Sequence, residues 1–252
     1  MIASARVMYI LNRLNECGVI DYKSIALELG VSEATARRDF EKLEHQGKLK
    51  RVQGGAMRSE GFGEGVSNAE LTMRYKRNLN SHEKRKIAQR AAELVRDGEC
   101  VFLDVGTSIS PLAEILMHRP VQLITYSNLA VQKFLPGVAA EVFVIGGRYH
   151  ISDGMFVGPF AEKMLKCFHF QHAFIGCSGV HLESNTVFTT EMECMRMKQL
   201  GMEAAERAHL LLDQTKLKKT GLFRVSGLES FETVFIDAIE DAEVMPKNFV
   251  MV

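Results

Sequence analysis

"GVSEATARRDFEKLEHQGKLKRVQGGA", residues 30–56, decides how the first part of this chain reads. Gly30 closes one short helical stretch, and Ser32 is placed to cap the next. The spacing of Ala36, Phe40 and Leu43 carries that next helix from about Glu33 to about His45. Gly47 ends it. "KLKRVQGGAM" then reads as a small β-hairpin, with Gly54 and Gly55 allowing a sharp exit. Seven Lys or Arg fall from Ser32 to Arg58, yet the whole chain is formally neutral, with 31 basic and 31 acidic residues. A neutral total can hide a local basic patch.

Upstream, "RVMYILNRLNECG" places Val7, Ile10, Leu11 and Leu14 on one helical face, with Gly18 as its stop. Asp21 can cap a second helix, "YKSIALELG", whose Ile25, Ala26 and Leu29 face inward. Two helices joined by a glycine-containing turn predict a helix-turn-helix, whose second helix can enter the major groove. Ser32, Ala34 and Thr35 let that helix start approach a duplex, and the hydroxyls of Ser32 and Thr35 suit phosphates. Arg37 and Arg38 carry forks that fit a guanine edge or a phosphate. Lys42 follows one turn after Arg38, and the hairpin adds Lys48, Lys50, Arg51 and Gln53 as a basic wing. The plainer alternative is a solvated surface helix balanced by Asp39 and Glu41. Turn, arginine pair and wing together favour double-stranded DNA as the partner.

Beyond the hairpin the composition changes. "SEGFGEGVSNAE" is rich in Gly, Ser and Glu, and residues 58–80 read as a linker or exposed loop. The second half of "MRYKRNLNSHEKRKIAQRAAELV" predicts an amphipathic helix with Ile87, Ala91, Leu94 and Val95 inward; its basic residues read as a solvated face. From residue 98 apolar strands alternate with helices. The strands are "CVFLDVG", "VQLITYS", "EVFVIGG", "HAFIGCSG", "HLLLD", "TVFID" and "FVMV"; the helices lie around 109–118, 128–135, 158–168 and 191–207. Short unbroken apolar strands between helices predict a parallel sheet covered on both faces. The expected domains are therefore 1–57, a linker at 58–80, and an open α/β domain over 81–252.

The chain has 252 residues, 46% of them hydrophobic, enough for a sizeable core. No apolar run approaches the roughly 18 residues of a membrane span. The N-terminus lacks the basic–apolar–small pattern of a secretion signal. The five cysteines, Cys17, Cys100, Cys167, Cys177 and Cys194, are scattered and form no C-x-x-C pair. Reduced, buried thiols in a cytoplasmic protein are the expectation.

"FLDVGTSISPLAEIL" is a strand, a hydroxyl-bearing glycine turn and a helix. In an open α/β sheet, ligands bind at the carboxyl ends of strands. The N–H groups of Gly106, Thr107 and Ser108 would face that crevice and favour an anion such as phosphate. Three other strand ends carry Tyr126, Ser127 and Asn128; Gly146, Gly147 and Arg148; and Gly176, Ser178 and Gly179. Each alone reads as a turn, but four converging loops favour a small polar ligand. Neither a Walker loop nor G-x-G-x-x-G is present, so no nucleotide cofactor is indicated.

"VSEATARRDFEKLEHQGKLKRVQGGA" resembles the N-terminal signature of DeoR-family bacterial transcription regulators. Thr35, Arg37, Arg38, Asp39, Leu43, Glu44, Gly47, Arg51, Gly54 and Gly55 match the family motif. Ala36 and Phe40 stand where aliphatic residues are usual, and Gln53 where His is common. "DVGTS", "YSN", "GGRYH", "CSGV" and "DQTKLKKTG" match the family's effector-domain motifs, with His172 in place of its usual Asp before "AFIG". The resemblance implies a winged helix-turn-helix ahead of a sugar-phosphate-sensing domain, operator DNA as partner, a phosphorylated sugar or related metabolite as effector, and a homo-oligomeric repressor of carbohydrate genes. It also implies that Lys198 and Lys216 reach the effector site.

The family's effector domain is similar in fold to sugar-phosphate isomerases, so an isomerase-like enzyme is the rival reading. It would need a base beside the substrate carbons. Asp104 and Glu191 are the candidate carboxylates, with Lys198 as stabiliser. The alternative is that Asp104 orders its loop by accepting backbone N–H bonds, and a fold does not carry a reaction with it. A sensor without catalysis is the preferred reading. "GCSGV" does not complete G-x-S-x-G. "HFQH", His169 to His172, lacks a third ligand for a metal. Met192, Met195, Met197 and Met202 read as adaptable packing.

Overall fold

A computed structural model of the chain describes residues 3–17, 19–52, 54–58, 79–134, 136–151, 153–217, 219–239 and 246–252. The chain divides into two compact units, Met1–Ser81 and His82–Val252.

The first unit comprises α1 (Ala3–Cys17), β1 (Val19–Asp21), α2 (Tyr22–Leu29), α3 (Glu33–His45), β2 (Leu49–Val52) and β3 (Gly55–Arg58). The caps fall where side chains can supply them. Asp21 accepts the Ser24 N–H at 2.9 Å, and Ser32 accepts the Thr35 N–H at 3.2 Å. Gly30 takes the left-handed conformation, φ 62°, that turns the chain between α2 and α3. Ile10, Leu14, Ile25, Ala36, Phe40, Leu43 and Leu49 fill the core. Asp39 is not a solvated balance for the arginines: it is buried and receives two bonds from Arg6 of α1, at 2.7 and 3.2 Å. The hairpin is joined by a further strand, in the antiparallel order β1-β3-β2. The stop expected at Gly18 lies outside the described residues.

The second unit takes in α4 (Ser81–Ala92) from His82 onward and is built on β4 (Cys100–Leu103), β5 (Gln122–Thr125), β6 (Glu141–Val144), β9 (Phe170–Gly176), β12 (Ala205–Leu211), β14 (Thr233–Ile236) and β15 (Phe249–Met251). These seven strands form one parallel sheet in the order β15-β14-β12-β9-β4-β5-β6. The connecting helices are α5 (Ser110–Leu116), α6 (Asn128–Val131), α7 (Pro159–Leu165) and α8 (Met192–Glu203). One face packs Phe102, Ile124 and Ile175 with Ala161, Leu165, Met197 and Leu200 from α7 and α8. The other packs Val101, Leu103 and Phe174 with Ile87, Ala91, Leu112 and Leu116 from α4 and α5. From β4 the chain steps outward to β5 and β6; from β9 it steps the other way to β12, β14 and β15. The β4–β9 boundary is therefore the sheet's topological switch point.

Three expectations are corrected. Leu94 is 36% exposed because α4 ends at Ala92. The helix expected through residue 207 stops at Glu203, and β12 is already running by Ala205. The helix expected over 128–135 spans Asn128–Val131. Two small antiparallel features were not expected: a hairpin of β7 (Arg148–His150) and β8 (Met155–Val157), and a sheet of β10 (Gly179–His181), β11 (Thr186–Thr189) and β13 (Phe223–Gly227).

Candidate functional site

In the first unit, α3 presents an exposed polar face. Ser32 and Thr35 lie at its start, joined through their hydroxyls at 2.9 Å. Arg37, Arg38 and Lys42 are exposed along it. The Arg37 guanidinium sits 5.3 Å from the Tyr22 ring centroid, which leans it on α2 without burying it. Lys50 is exposed on β2. Arg51 is engaged: it pairs with Glu41 at 2.7 Å and Glu44 at 3.1 Å, and its backbone N–H donates to Glu44 at 2.8 Å. Arg51 thus fastens the wing to α3. Gln53 lies outside the described residues.

In the second unit, most of the named residues stand at the carboxyl end of the parallel sheet. At its centre is Asp104, fully buried just after β4. One carboxylate oxygen accepts from the Tyr126 hydroxyl. The other accepts from Lys198 Nζ and, at 2.8 Å, from the Gly176 N–H. Lys198 Nζ also donates to the Gly176 carbonyl at 2.9 Å. Asp104 and Lys198 therefore clamp β4 to β9 across the switch point, and Lys198 is 2% exposed. Burial alone would lower the Lys198 pKa; the Asp104 charge and hydrogen bond outweigh it and hold the ammonium above its usual value. Burial, reinforced by the Asp104 charge, raises the Tyr126 phenol well above its usual value. Burial also pushes the Cys177 thiol up to about 12, which keeps it protonated.

Above this clamp runs the loop from Val105 to Ile109. Gly106 adopts φ 137°, a conformation that favours glycine, and its carbonyl accepts the Ile109 and Ser110 N–H groups to start α5. The N–H groups of Gly106, Thr107 and Ser108 have no acceptor among the described residues. Ser127 is buried and caps α6, accepting the Ala130 N–H at 3.4 Å. Asn128 donates to the Tyr149 hydroxyl at 2.9 Å. Ser178 donates its hydroxyl to the Phe188 carbonyl at 3.0 Å. Gly146 and Gly147 follow β6, Gly179 opens β10, and Lys216 ends the one-turn helix Gln214–Lys216 after β12. Arg148 is paired with Glu193.

The structure does not bring His169 and His172 together as a ligand pair. His169 is exposed beside Glu206, while His172 is buried against His209, with ring nitrogens 2.9 Å apart. Among the described residues no group of three His, Cys, Asp or Glu side chains is placed to hold a metal. No helix among them is long and apolar enough to cross a membrane. Met197 is buried, Met195 and Met202 pack against the core, and Met192 is 59% exposed. Two positions escaped the sequence reading: Glu193, the partner of Arg148, and His209, whose only signal was one His inside an apolar run.

Residues 6–61 match the DeoR-like helix-turn-helix domain, and residues 79–238 match the DeoR C-terminal sensor domain. A lactose phosphotransferase system repressor of Lactococcus lactis subsp. lactis is 32% identical over 246 residues, covering 96% of this chain and 92% of its own. The L-fucose operon activator of Haemophilus influenzae is 28% identical over 228 residues, covering 90% of this chain and 89% of its own. Among solved structures, ribose 5-phosphate isomerase A from Methanocaldococcus jannaschii superposes with a TM-score of 0.40 at 20% identity, over 55% of each chain. A likeness at that level speaks neither for a reaction nor against one. With a helix-turn-helix unit at one end and a sensor unit filling the rest, this chain belongs to the DeoR family of transcription regulators.

Proposed function

We propose that this regulator represses genes of carbohydrate metabolism and is controlled by a phosphorylated sugar or a related metabolite. The observation that carries the reading is the row of N–H groups at Gly106, Thr107 and Ser108, which have no acceptor among the described residues and lie beside the switch point of the sheet. Backbone donors held in place replace the water around a phosphate at little cost. Asn128, Gly147, Arg148, Ser178 and Lys216 would surround the rest of such a ligand, with the buried Tyr126 and Ser127 supporting the loops beneath it. The names of the relatives, a lactose phosphotransferase system repressor and an L-fucose operon activator, support a sugar system; the first favours repression.

Operator DNA would be read by Ser32, Thr35, Arg37, Arg38 and Lys42, with Lys50 on the wing and Arg51 holding the wing in place. Such readers pair on repeated half-sites, so a cytoplasmic homo-oligomer is the form in which the chain would act. In this reading residues 58–80 link the DNA-binding domain to the sensor over 81–252. No cofactor is needed and no substrate is turned over. Asp104, at the start of the loop that carries Gly106 to Ser108, already serves Tyr126, Gly176 and Lys198, which leaves it poorly suited to take a substrate proton. Lys198 acts by holding Asp104 rather than by reaching the ligand.

The direct test is operator binding by the Arg37→Ala/Arg38→Ala variant. Specific binding should be lost, and Arg38→Ala alone should flatten the salt dependence by about one phosphate contact. Operator affinity equal to wild type would remove the assignment. Incubation with a panel of sugar phosphates should leave isomer ratios unchanged; isomerisation that disappears in Asp104→Asn or Glu191→Gln would establish an enzyme instead.

A further inference from the structure

Arg148 opens the β7–β8 hairpin just beyond the carboxyl end of β6. Its Nη2 donates to both carboxylate oxygens of Glu193, each at 2.6 Å. Glu193 lies in the first turn of α8, the helix whose Cys194 and Lys198 reach Tyr126 and Asp104. The pair thus ties the hairpin to the helix that carries Lys198 to Asp104. Its side chains are 61% and 35% exposed, so it sits at the solvent edge, where such pairs are weak. The backbone beneath is closely packed at Gly147. A Cβ on Gly147 would lie 2.7 Å from the Val157 carbonyl, so the hairpin's start is pressed against its own second strand. The guanidinium fork can change partner while its base stays in place.

We infer that Glu193 sets the specificity of the crevice by occupying Arg148 until a ligand phosphate displaces it. The inference rests on reading the crevice as a phosphate site. A carboxylate and a phosphate each offer the guanidinium two oxygens, but a dianionic phosphate brings more charge and a third oxygen for the loop at Gly106 to Ser108. A neutral sugar has nothing to exchange with Glu193 and leaves the pair closed. Only phosphorylated ligands then release the hairpin from α8, and discrimination against free sugars follows from the exchange itself.

The test is calorimetric titration of the full-length protein with inorganic phosphate and glycerol 3-phosphate, with an unphosphorylated pentose as control. Removing a competitor of this kind by Glu193→Gln should tighten phosphate binding about two- to fivefold. Arg148→Ala should weaken it at least about tenfold, and the double variant should match Arg148→Ala. The pentose should bind all four proteins alike. If Glu193→Gln equals wild type while Arg148→Ala is weakened, the exchange is wrong and the phosphate site stands. Arg148→Ala equal to wild type also overturns the inference. If neither phosphate binds any of the proteins, the crevice reading fails and this inference with it.

Discussion

Lys198 and Asp104 show what the centre of the sensor is built to do. Both charges are out of water, and each is satisfied by the other plus the Gly176 backbone and the Tyr126 hydroxyl. Replacing such a pair by apolar groups can be neutral, but removing one partner strands the other, at about 3–5 kcal/mol. Lys198→Met should therefore lower the stability of the sensor unit by that amount, read as a fall in its denaturation midpoint; a midpoint unchanged would mean the clamp does not hold β4 to β9. A second buried pair gives a pH dependence. His172 Nδ1 meets His209 Nε2 at 2.9 Å, while Glu99 lies 3.3 Å from His172 Nε2 without the angle of a hydrogen bond, and His209 Nδ1 has no partner among the described residues. Burial, and then the neighbouring His172, lowers the His209 pKa to about 3; burial, and then Arg207, lowers that of His172. The unfolded chain, with imidazoles near 6.5, binds more protons than the folded one in the window below that value. The stability that His209 contributes is fully present above its unfolded value near 6.5 and falls by about 1.4 kcal/mol per pH unit below it, down to its folded value of about 3; His172 adds a loss of the same sign. Denaturation midpoints between pH 7.5 and 5.5 should fall for wild type and less for His209→Gln. Equal slopes would show that the pair is not the titrating group.

At the scale of elements, the start of α3 combines a cap with a candidate phosphate contact at Ser32. The two roles separate by substitution. Ser32→Ala should cost about 1 kcal/mol of stability in the first unit. Ser32→Asp restores the cap but places a carboxylate against the duplex, so it should keep wild-type stability and lose operator affinity. Wild-type operator affinity in Ser32→Asp would mean that Ser32 faces no phosphate. Elements whose sequence carries its own punctuation were legible: α2 and α3 have Asp21, Gly30 and Ser32 at their ends, and the central strands are buried on both faces and read as unbroken apolar runs. β1 has three residues, too few to show a period, and exists because β3 pairs with it. The β7–β8 hairpin is three residues a side with no alternation to read. The site was legible in its strand-end loops, whose glycines and hydroxyls mark turns. Its clamp was not, because Asp104 and Lys198 are 94 residues apart and only the sheet brings them together. Arg51 was read as part of a basic wing, while its ties to Glu41 and Glu44 depend on how the hairpin folds back on α3.

For the whole molecule, a crevice in one unit can govern DNA affinity in the other only as far as the ligand prefers one arrangement of the chain over another. Thermodynamic reciprocity makes this measurable from either end: whatever factor the effector takes from operator affinity, operator takes from effector affinity. The most direct test titrates operator binding by the full-length protein against a panel of phosphorylated sugars, in wild type and in Thr107→Glu. The substituted carboxylate would sit where the phosphate is expected, among the N–H groups of Gly106 to Ser108. At least one member of the panel should shift wild-type operator affinity, and Thr107→Glu should bind operator normally and answer to none of them. An effector that shifts both proteins equally would place the phosphate site elsewhere.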